Sequence, residues 1–314
     1  MYPATAENTI RALSKAACAG ALLLSLAGGC GRNAASAVPS VPSSTPLPVT
    51  PADICAPTRS SPAGPISDPN GPFFHRVAVG RTTDGVKVSD VVHVLEHASV
   101  PDGVRLPTGE VLVYYVDAAD NSLGVASLTA TAAQPLGAIT LNGIPRPNGV
   151  VDPDALVVGG RVRLFYLGGF GQPSSTNVRA MCVADSSDGR SFTVVGSALT
   201  FSGELWTDPS VAPLPGGGWL MAVSAGNNTV LARSTDGLTF TAGERLTYGG
   251  VPELDALADG RVRLYVCAQG IQSYVSADRG STWVREGTVL NPGGLICDPS
   301  LVHGADLFVF KTGY

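Results

Sequence analysis

The chain has 314 residues, 38 of them Gly and 24 Pro, with 14% charged residues and a formal net charge of −5. That balance suits a turn-rich all-β domain with a large core. It offers no basic run to a nucleic-acid backbone, so nucleic acid is not an expected partner.

The chain opens on a leader. Arg11 and Lys15 precede an apolar stretch from Ala16 to Ala27, too short for a stable transmembrane helix and typical of a signal h-region. Leu26-Ala27-Gly28-Gly29-Cys30 resembles a bacterial lipobox with Leu26 one place early, which makes Cys30 the lipidation site; Ala35-Ser36-Ala37 offers ordinary signal-peptidase cleavage instead. The favoured reading takes residues 1–29 as a lipoprotein signal peptide and 30–71 as a Ser/Pro-rich tether, leaving 72–314 as the folded domain. The expected place is outside a bacterial cell, lipid-anchored, with secretion or the periplasm as the alternative. A monomer touching the membrane only through its N-terminal lipid is expected.

From residue 100 onward one cassette recurs five times: a Pro step flanked by acids, a short apolar run, a Gly turn and a second apolar run. The first copy runs Val100-Pro101-Asp102-Gly103-Val104 to Val111-Leu112-Val113-Tyr114-Tyr115. The second runs Asp152-Pro153-Asp154-Ala155-Leu156 to Arg161-Val162-Arg163-Leu164-Phe165-Tyr166, and the third Asp208-Pro209-Ser210-Val211 to Trp219-Leu220-Met221-Ala222-Val223. The fourth runs Glu253-Leu254-Asp255-Ala256-Leu257 to Arg261-Val262-Arg263-Leu264-Tyr265, and the fifth Asp298-Pro299-Ser300-Leu301-Val302 to Leu307-Phe308-Val309-Phe310. Registered on Pro101, Pro153, Pro209, Leu254 and Pro299, the copies step by 52, 56, 45 and 45 residues. Short strands at this period predict a β-propeller with two inner strands of a blade per cassette.

The intervals hold a second signature: Ser186-Ser187-Asp188-Gly189-Arg190-Ser191-Phe192, Ser234-Thr235-Asp236-Gly237-Leu238-Thr239-Phe240 and Ser276-Ala277-Asp278-Arg279-Gly280-Ser281-Thr282-Trp283. These resemble the Asp-box of sialidase-like propellers and read as turn chemistry on outer blade edges, with Ser and Asp bonding the local backbone and Gly at positive φ. A degenerate copy, Thr82-Thr83-Asp84-Gly85, lies between strand-like runs at 73–81 and 86–95. The last cassette stops at Tyr314 with only an inner pair. Residues 73–95 are therefore expected to complete the blade begun at 296–312, which closes a ring of five and removes free strand edges.

Past Cys30 four cysteines remain, Cys55, Cys182, Cys267 and Cys297, and four allow three pairings. Cys267 ends an inner strand of blade 4 and Cys297 starts the innermost strand of blade 5, so Cys267–Cys297 is favoured, leaving Cys55–Cys182 to pin the tether to the ring. No Cys/His spacing suggests zinc.

The innermost strands start at one face of the channel, and there the cassettes carry Asp102, Asp152 or Asp154, Asp208, Glu253 or Asp255, and Asp298. Carboxylates gathered in one pocket push each other's pKa values apart, as hydrolysis by one protonated acid and one ionised partner requires. Asp-Pro steps at strand starts also serve as plain turn and cap chemistry.

Five blades with these cassettes resemble glycoside hydrolase family 43 and the related arabinanase, xylosidase and fructosidase propellers. The resemblance implies a general-base Asp on blade 1, a pKa-tuning Asp on blade 3 in an Asp-Pro-Ser motif and an acid Glu on blade 4. Trp206-Thr207-Asp208-Pro209-Ser210-Val211 carries the blade 3 motif, and Pro252-Glu253-Leu254-Asp255 sits where the blade 4 Glu belongs. Blade 1 departs: Val100 holds the position of the usual Asp, and Asp102 lies two residues deeper on the same strand face. Glu253, Asp208 and Asp102 are then the catalytic candidates, with Asp154 or Asp298 as substitutes for the base. Asp154, Asp298, Asp255 and Trp206 are the substrate-binding candidates; Trp206 either stacks on a sugar or packs between blades.

The implied function is an exported glycoside hydrolase acting on a furanoside or pyranoside such as arabinan, xylan or a cell-envelope glycan. The alternative is a non-catalytic surface propeller that binds carbohydrate or protein. A sialidase is a minor reading, since that family has six blades and an Arg triad. No cofactor is expected; a Ca2+ ion in the carboxylate ring has no ligand-loop motif behind it. Asp68-Pro69-Asn70-Gly71 resembles the nucleophile motif of fructan-hydrolysing propellers, but it precedes an outer strand and reads as a turn ending the tether.

Overall fold

The computed structural model describes residues 54–57, 59–60, 68, 70–170, 178–291 and 293–314. The expected signal peptide, Cys30 and most of the expected tether lie outside them. Among the described residues no helix is long and apolar enough to cross a membrane.

In chain order the strands are β1 (His75–Arg81), β2 (Ser89–Glu96), β3 (Ala98–Arg105), β4 (Val111–Asp117), β5 (Ser122–Leu128) and β6 (Ala133–Ala138). Next come β7 (Thr140–Leu141), β8 (Ile144–Pro145), β9 (Val150–Val158), β10 (Arg161–Gly168), β11 (Val178–Ser186) and β12 (Ser191–Ser202). Then follow β13 (Thr207–Pro213), β14 (Trp219–Ala225), β15 (Asn228–Ser234), β16 (Thr241–Leu246), β17 (Gly250–Ala256) and β18 (Val262–Cys267). The last are β19 (Ile271–Ser276), β20 (Val284–Leu290), β21 (Ile296–Val302) and β22 (Leu307–Gly313).

They form five sheets, the blades of a five-bladed propeller: β3 to β6, β9 to β12, β13 to β16, β17 to β20, and β21-β22-β1-β2. The short β7–β8 hairpin extends the outer edge of blade 2, where β7 runs parallel to β12. Closure falls where the sequence places it. β1 pairs antiparallel with β22 over the whole strand, from His75 opposite Gly313 to Arg81 opposite Leu307. The first and last strands thus share one blade and neither edge is left open there.

Each interface between neighbouring blades holds its own apolar cluster, five in all. Tyr114 and Tyr166 pack between blades 1 and 2, Phe165 and Phe240 between 2 and 3, and Tyr265 and Phe308 between 4 and 5. The Ser-x-Asp-Gly turns support this packing. Gly189 takes φ +71°, its N–H donates to Ser186 Oγ (2.9 Å), and Arg190 and Ser191 donate to Asp188 Oδ1 (2.8 and 2.9 Å). The Tyr114 hydroxyl of blade 1 then donates to Gly189 O (2.7 Å), tying that turn to its neighbour. Asp68, the fructan-type candidate, is exposed and accepts from Asn70 N (2.9 Å) in a turn.

Both expected disulfides are formed, Cys55–Cys182 and Cys267–Cys297, with Cα–Cα distances of 5.5 and 5.4 Å.

One register needs correction. Val100, Asp152, Asp208, Val251 and Asp298 all adopt φ between +47° and +56°. Each precedes a Pro, and each lies in an irregular step of the pairing between the two innermost strands of its blade. The fourth cassette is therefore aligned on Pro252, not Leu254. Apolar Leu254 had mimicked the apolar Pro, and the αL bulge that fixes the register has no compositional signature once Val replaces Asp.

Candidate active site in the channel

The corrected register resolves the channel acids into two rings. The residue before each Pro forms the mouth ring: Val100, Asp152, Asp208, Val251 and Asp298. The residue after each Pro forms the inner ring: Asp102, Asp154, Ser210, Glu253 and Ser300. A small cavity lies between the rings, lined by members of both.

The inner ring is a continuous clasp. Asp102 Oδ2 accepts from Ala155 N (2.6 Å), Asp154 Oδ2 from Val211 N (3.1 Å), and Ser210 Oγ from Leu254 N (2.9 Å). Glu253 Oε1 accepts from Leu301 N (3.3 Å), and Ser300 Oγ from Gly103 N (3.0 Å), which returns to blade 1. Every member thus takes a backbone N–H from the next blade, satisfying a buried donor. The two Ser hydroxyls pass their own protons on, Ser210 to Glu253 Oε2 (2.8 Å) and Ser300 to Asp102 Oδ1 (2.7 Å).

Serine does this structural task at two of the five positions, yet the other three carry acids. Asp102, Asp154 and Glu253 are 5%, 6% and 8% exposed, and oxygens of the three lie within 4.8 Å of one another. Burial raises all three pKa values. Asp102 is pushed up to about 7, its hydrogen bonds from Ser300, Ala155 and Gly103 opposing the rise. Asp154 stands well above the carboxylate range through burial and the Asp102 charge, and Glu253 through burial and the charges of Asp102 and Asp154. Burial thus favours the neutral form of Asp154 and of Glu253. Such a set also has the donor chemistry for a hard cation, although both oxygens of Asp102 and of Glu253 already accept hydrogen bonds.

The acids face a cavity of about 320 Å³ that continues toward the far ends of the innermost strands, walled by Val104, Leu156, Val211 and Leu254, with Arg105 and His303 also lining it. An apolar cavity of this size with convergent polar groups of shifted pKa is the physical profile of a small-molecule site.

Asp208 is placed apart from Glu253. It sits in the mouth ring, its N–H donating to Asp152 Oδ2 (3.3 Å). Asp298 completes that group through an ion pair with Lys311, whose side chain is 14% exposed. Burial and then the Asp298 charge push Asp208 up to about 6, and burial and then the Asp208 charge raise Asp152 well above the ordinary carboxylate value. Trp206 stacks on Phe201 with ring centroids 5.0 Å apart and donates from Nε1 to Glu204 (3.0 Å). Asp255 is buried near the inner end of the cavity, 3.0 Å from His303 Nε2. Sequence reasoning passed over Ser210 and Ser300 as site residues, although their place directly after Pro matches Asp102 and Asp154. It also passed over Lys311, which lies on a second strand and carries no motif.

The raised acids set a pH dependence. A carboxyl whose pKa is higher folded than unfolded holds its proton more tightly in the fold, so stability is full below the unfolded value and is lost as pH rises toward the folded value. For Asp102 the window runs from 3.8 to about 7, on the order of 4 kcal/mol. The turn acids work the other way: Asp236, held down to about 2 by the N–H groups of Leu238 and Thr239, gives stability that is lost as pH falls below the ordinary carboxylate range. Calorimetry is expected to find the highest Tm near pH 4–5 and a fall of roughly 10 °C by pH 8. A Tm that rises steadily to pH 8 would contradict the burial of these acids.

No protein-family model matches the sequence, and no curated protein matches it significantly. Solved structures do match the fold. A thermostable family-43 glycoside hydrolase superposes with a TM-score of 0.53 at 12% identity, over 68% of this chain and 83% of that one. A GH43 β-xylosidase/α-arabinofuranosidase from a compost microbial metagenome, in complex with xylotriose, gives 0.50 at 15% identity, over 68% and 84%. A fructofuranosidase from Schwanniomyces occidentalis complexed with fructose gives 0.52 at 13% identity, over 74% of this chain and 53% of that one. The likeness is one of fold. It joins this chain to the five-bladed architecture on which those glycoside hydrolases are built.

Proposed function

We propose that this protein is an exported, lipid-anchored glycoside hydrolase, tethered through Cys30, that cleaves a glycosidic bond with the inner-ring carboxyls. The observation that carries the reading is the convergence of Asp102, Asp154 and Glu253 within 4.8 Å on one cavity, where serine suffices for the clasp. Glu253, held neutral, donates its proton to the leaving oxygen as the bond to the anomeric carbon breaks. Asp154 assists by raising the Glu253 pKa, the part the family resemblance implied for Asp208.

Inverting enzymes hold their carboxyls roughly 6.5–9.5 Å apart to admit water, and retaining ones about 5–5.5 Å. One oxygen each of Asp102 and Glu253 lie within 4.8 Å of each other, which favours the shorter arrangement and assigns ionised Asp102 as the nucleophile. Its oxygen bonds the anomeric carbon; water then displaces it, giving a proton back to Glu253. Asp208, Asp298 and Trp206 do not line the cavity those acids face, so the sugar is held by its other lining residues, Arg105 and His303 among them.

The test is hydrolysis of aryl arabinofuranosides, xylosides, galactosides and sialosides and of arabinan and xylan by the full chain, with the product anomer read by NMR. Retention is the expected outcome. Inversion would overturn the roles given to Asp102 and Glu253.

A second reading rests on a specific observation. Val100 and Val251 occupy the mouth ring on blades 1 and 4, the blades on which the family places its base and acid. Under that reading the propeller binds carbohydrate without cleaving it, and a folded protein that binds but cleaves nothing on the panel would favour it.

A further inference from the structure

A second cavity, of about 380 Å³, lies beside the first, and Ala256, Leu301 and His303 wall both. One side of it is fixed. Arg263 donates to Glu286 from Nε (2.7 Å) and Nη2 (3.2 Å) and to Asp84 O from Nη1 (2.9 Å). The Tyr265 hydroxyl donates to Gly85 O (2.8 Å). Blade 4 thereby grips the β1–β2 turn of blade 5 through two hydrogen bonds, while Glu286 on β20 holds the Arg263 guanidinium in place.

The divider is built differently. His303 sits on the turn between β21 and β22 with a side chain 62% exposed and Nε2 3.0 Å from Asp255 Oδ1. Asp255 is 2% exposed and lies two residues past Glu253 on β17, so it shares that face of the strand. An exposed imidazole on a turn changes rotamer in nanoseconds, whereas Asp255 is fixed on the strand that carries the acid. With Nε2 lying beside Asp255, Nδ1 is the ring nitrogen left to bond a hydroxyl.

We infer that the second cavity is a subsite for the next sugar of the chain, and that His303 is a positioning residue spanning the two sugars. The inference rests on the proposed site around Glu253 and Asp102 and names its substrate class: an oligosaccharide of at least two units. The lining fits a hydroxyl-rich ligand, with Thr82, Asp84, Asp259 and Arg261 around the cavity.

The experiment compares the full wild-type chain with His303→Ala and His303→Gln on nitrophenyl arabinofuranoside and xyloside and on arabinobiose and xylobiose. The expected result is a KM ratio of disaccharide to matching aryl glycoside that rises tenfold or more in His303→Ala and is partly restored in His303→Gln, with kcat changed far less. An unchanged ratio overturns the subsite while leaving hydrolysis intact. If the wild type cleaves none of these, titration of xylose, xylobiose, arabinose and arabinobiose by NMR decides the subsite on its own, and the wider panel decides the hydrolase reading. A tenfold preference for a disaccharide that His303→Ala abolishes supports it; equal or absent binding of both overturns it.

Discussion

Glu253→Gln is expected to lower kcat/KM on any cleaved glycoside by roughly 10²–10⁴-fold, the usual worth of a positioned general acid. The amide keeps the shape of the carboxyl and can still accept from Leu301 N, so the clasp between blades 4 and 5 survives. What it loses is the transferable proton. The same change removes a carboxyl that burial and two neighbouring acids disfavour in its charged form, so the variant should be as stable as wild type at pH 5 and more stable at pH 8. Activity and thermal unfolding measured on one sample separate the two effects. Lost activity together with lost stability at both pH values would mark Glu253 as a clasp residue alone. The wild-type profile of kcat/KM against pH should rise through about 7 as Asp102 ionises and fall at higher pH as Glu253 loses its proton.

Replacing both Cys55 and Cys182 by Ser should cost about 5 kcal/mol. The bridge closes 127 residues, and the loss of unfolded-chain entropy grows with the logarithm of loop length. Cys267–Cys297 closes 30 residues, for which the same relation gives about 4 kcal/mol. The larger bridge also fixes the segment before the propeller. Cys55 is fully buried, its carbonyl accepts from the Tyr166 hydroxyl (2.5 Å), and a Cβ at Gly169 would come 2.7 Å from Ile54. Unfolding followed by calorimetry is expected to show a Tm lower by 10 °C or more, with a smaller drop on loss of the second bridge. The reverse order would mean that native contacts, not chain entropy, set the contribution of each disulfide. Both bridges suit an oxidising compartment, in keeping with the proposed export.

The sequence alone determined the repeat, and through it most of the architecture. Period, strand composition and the Ser-Asp-Gly turns are local properties, so five blades, the closing strand pair and both disulfides followed from the order of residues. The separation of the acids into two rings was decided only in three dimensions. It depends on a bulge at φ near +50° before each Pro, and Val251 there looks like any strand valine until the backbone is seen. Which acids meet is likewise a matter of five strands from distant parts of the chain converging on one axis. Asp208 and Glu253 lie on adjacent blades, yet one sits before its Pro and the other after. That shift of two residues puts Glu253 with Asp102 and Asp154, and Asp208 with Lys311. Lys311 and His303 come from a second strand and from a turn, where no spacing rule reaches; only the closure of the ring brings Lys311 to the channel and His303 to its rim.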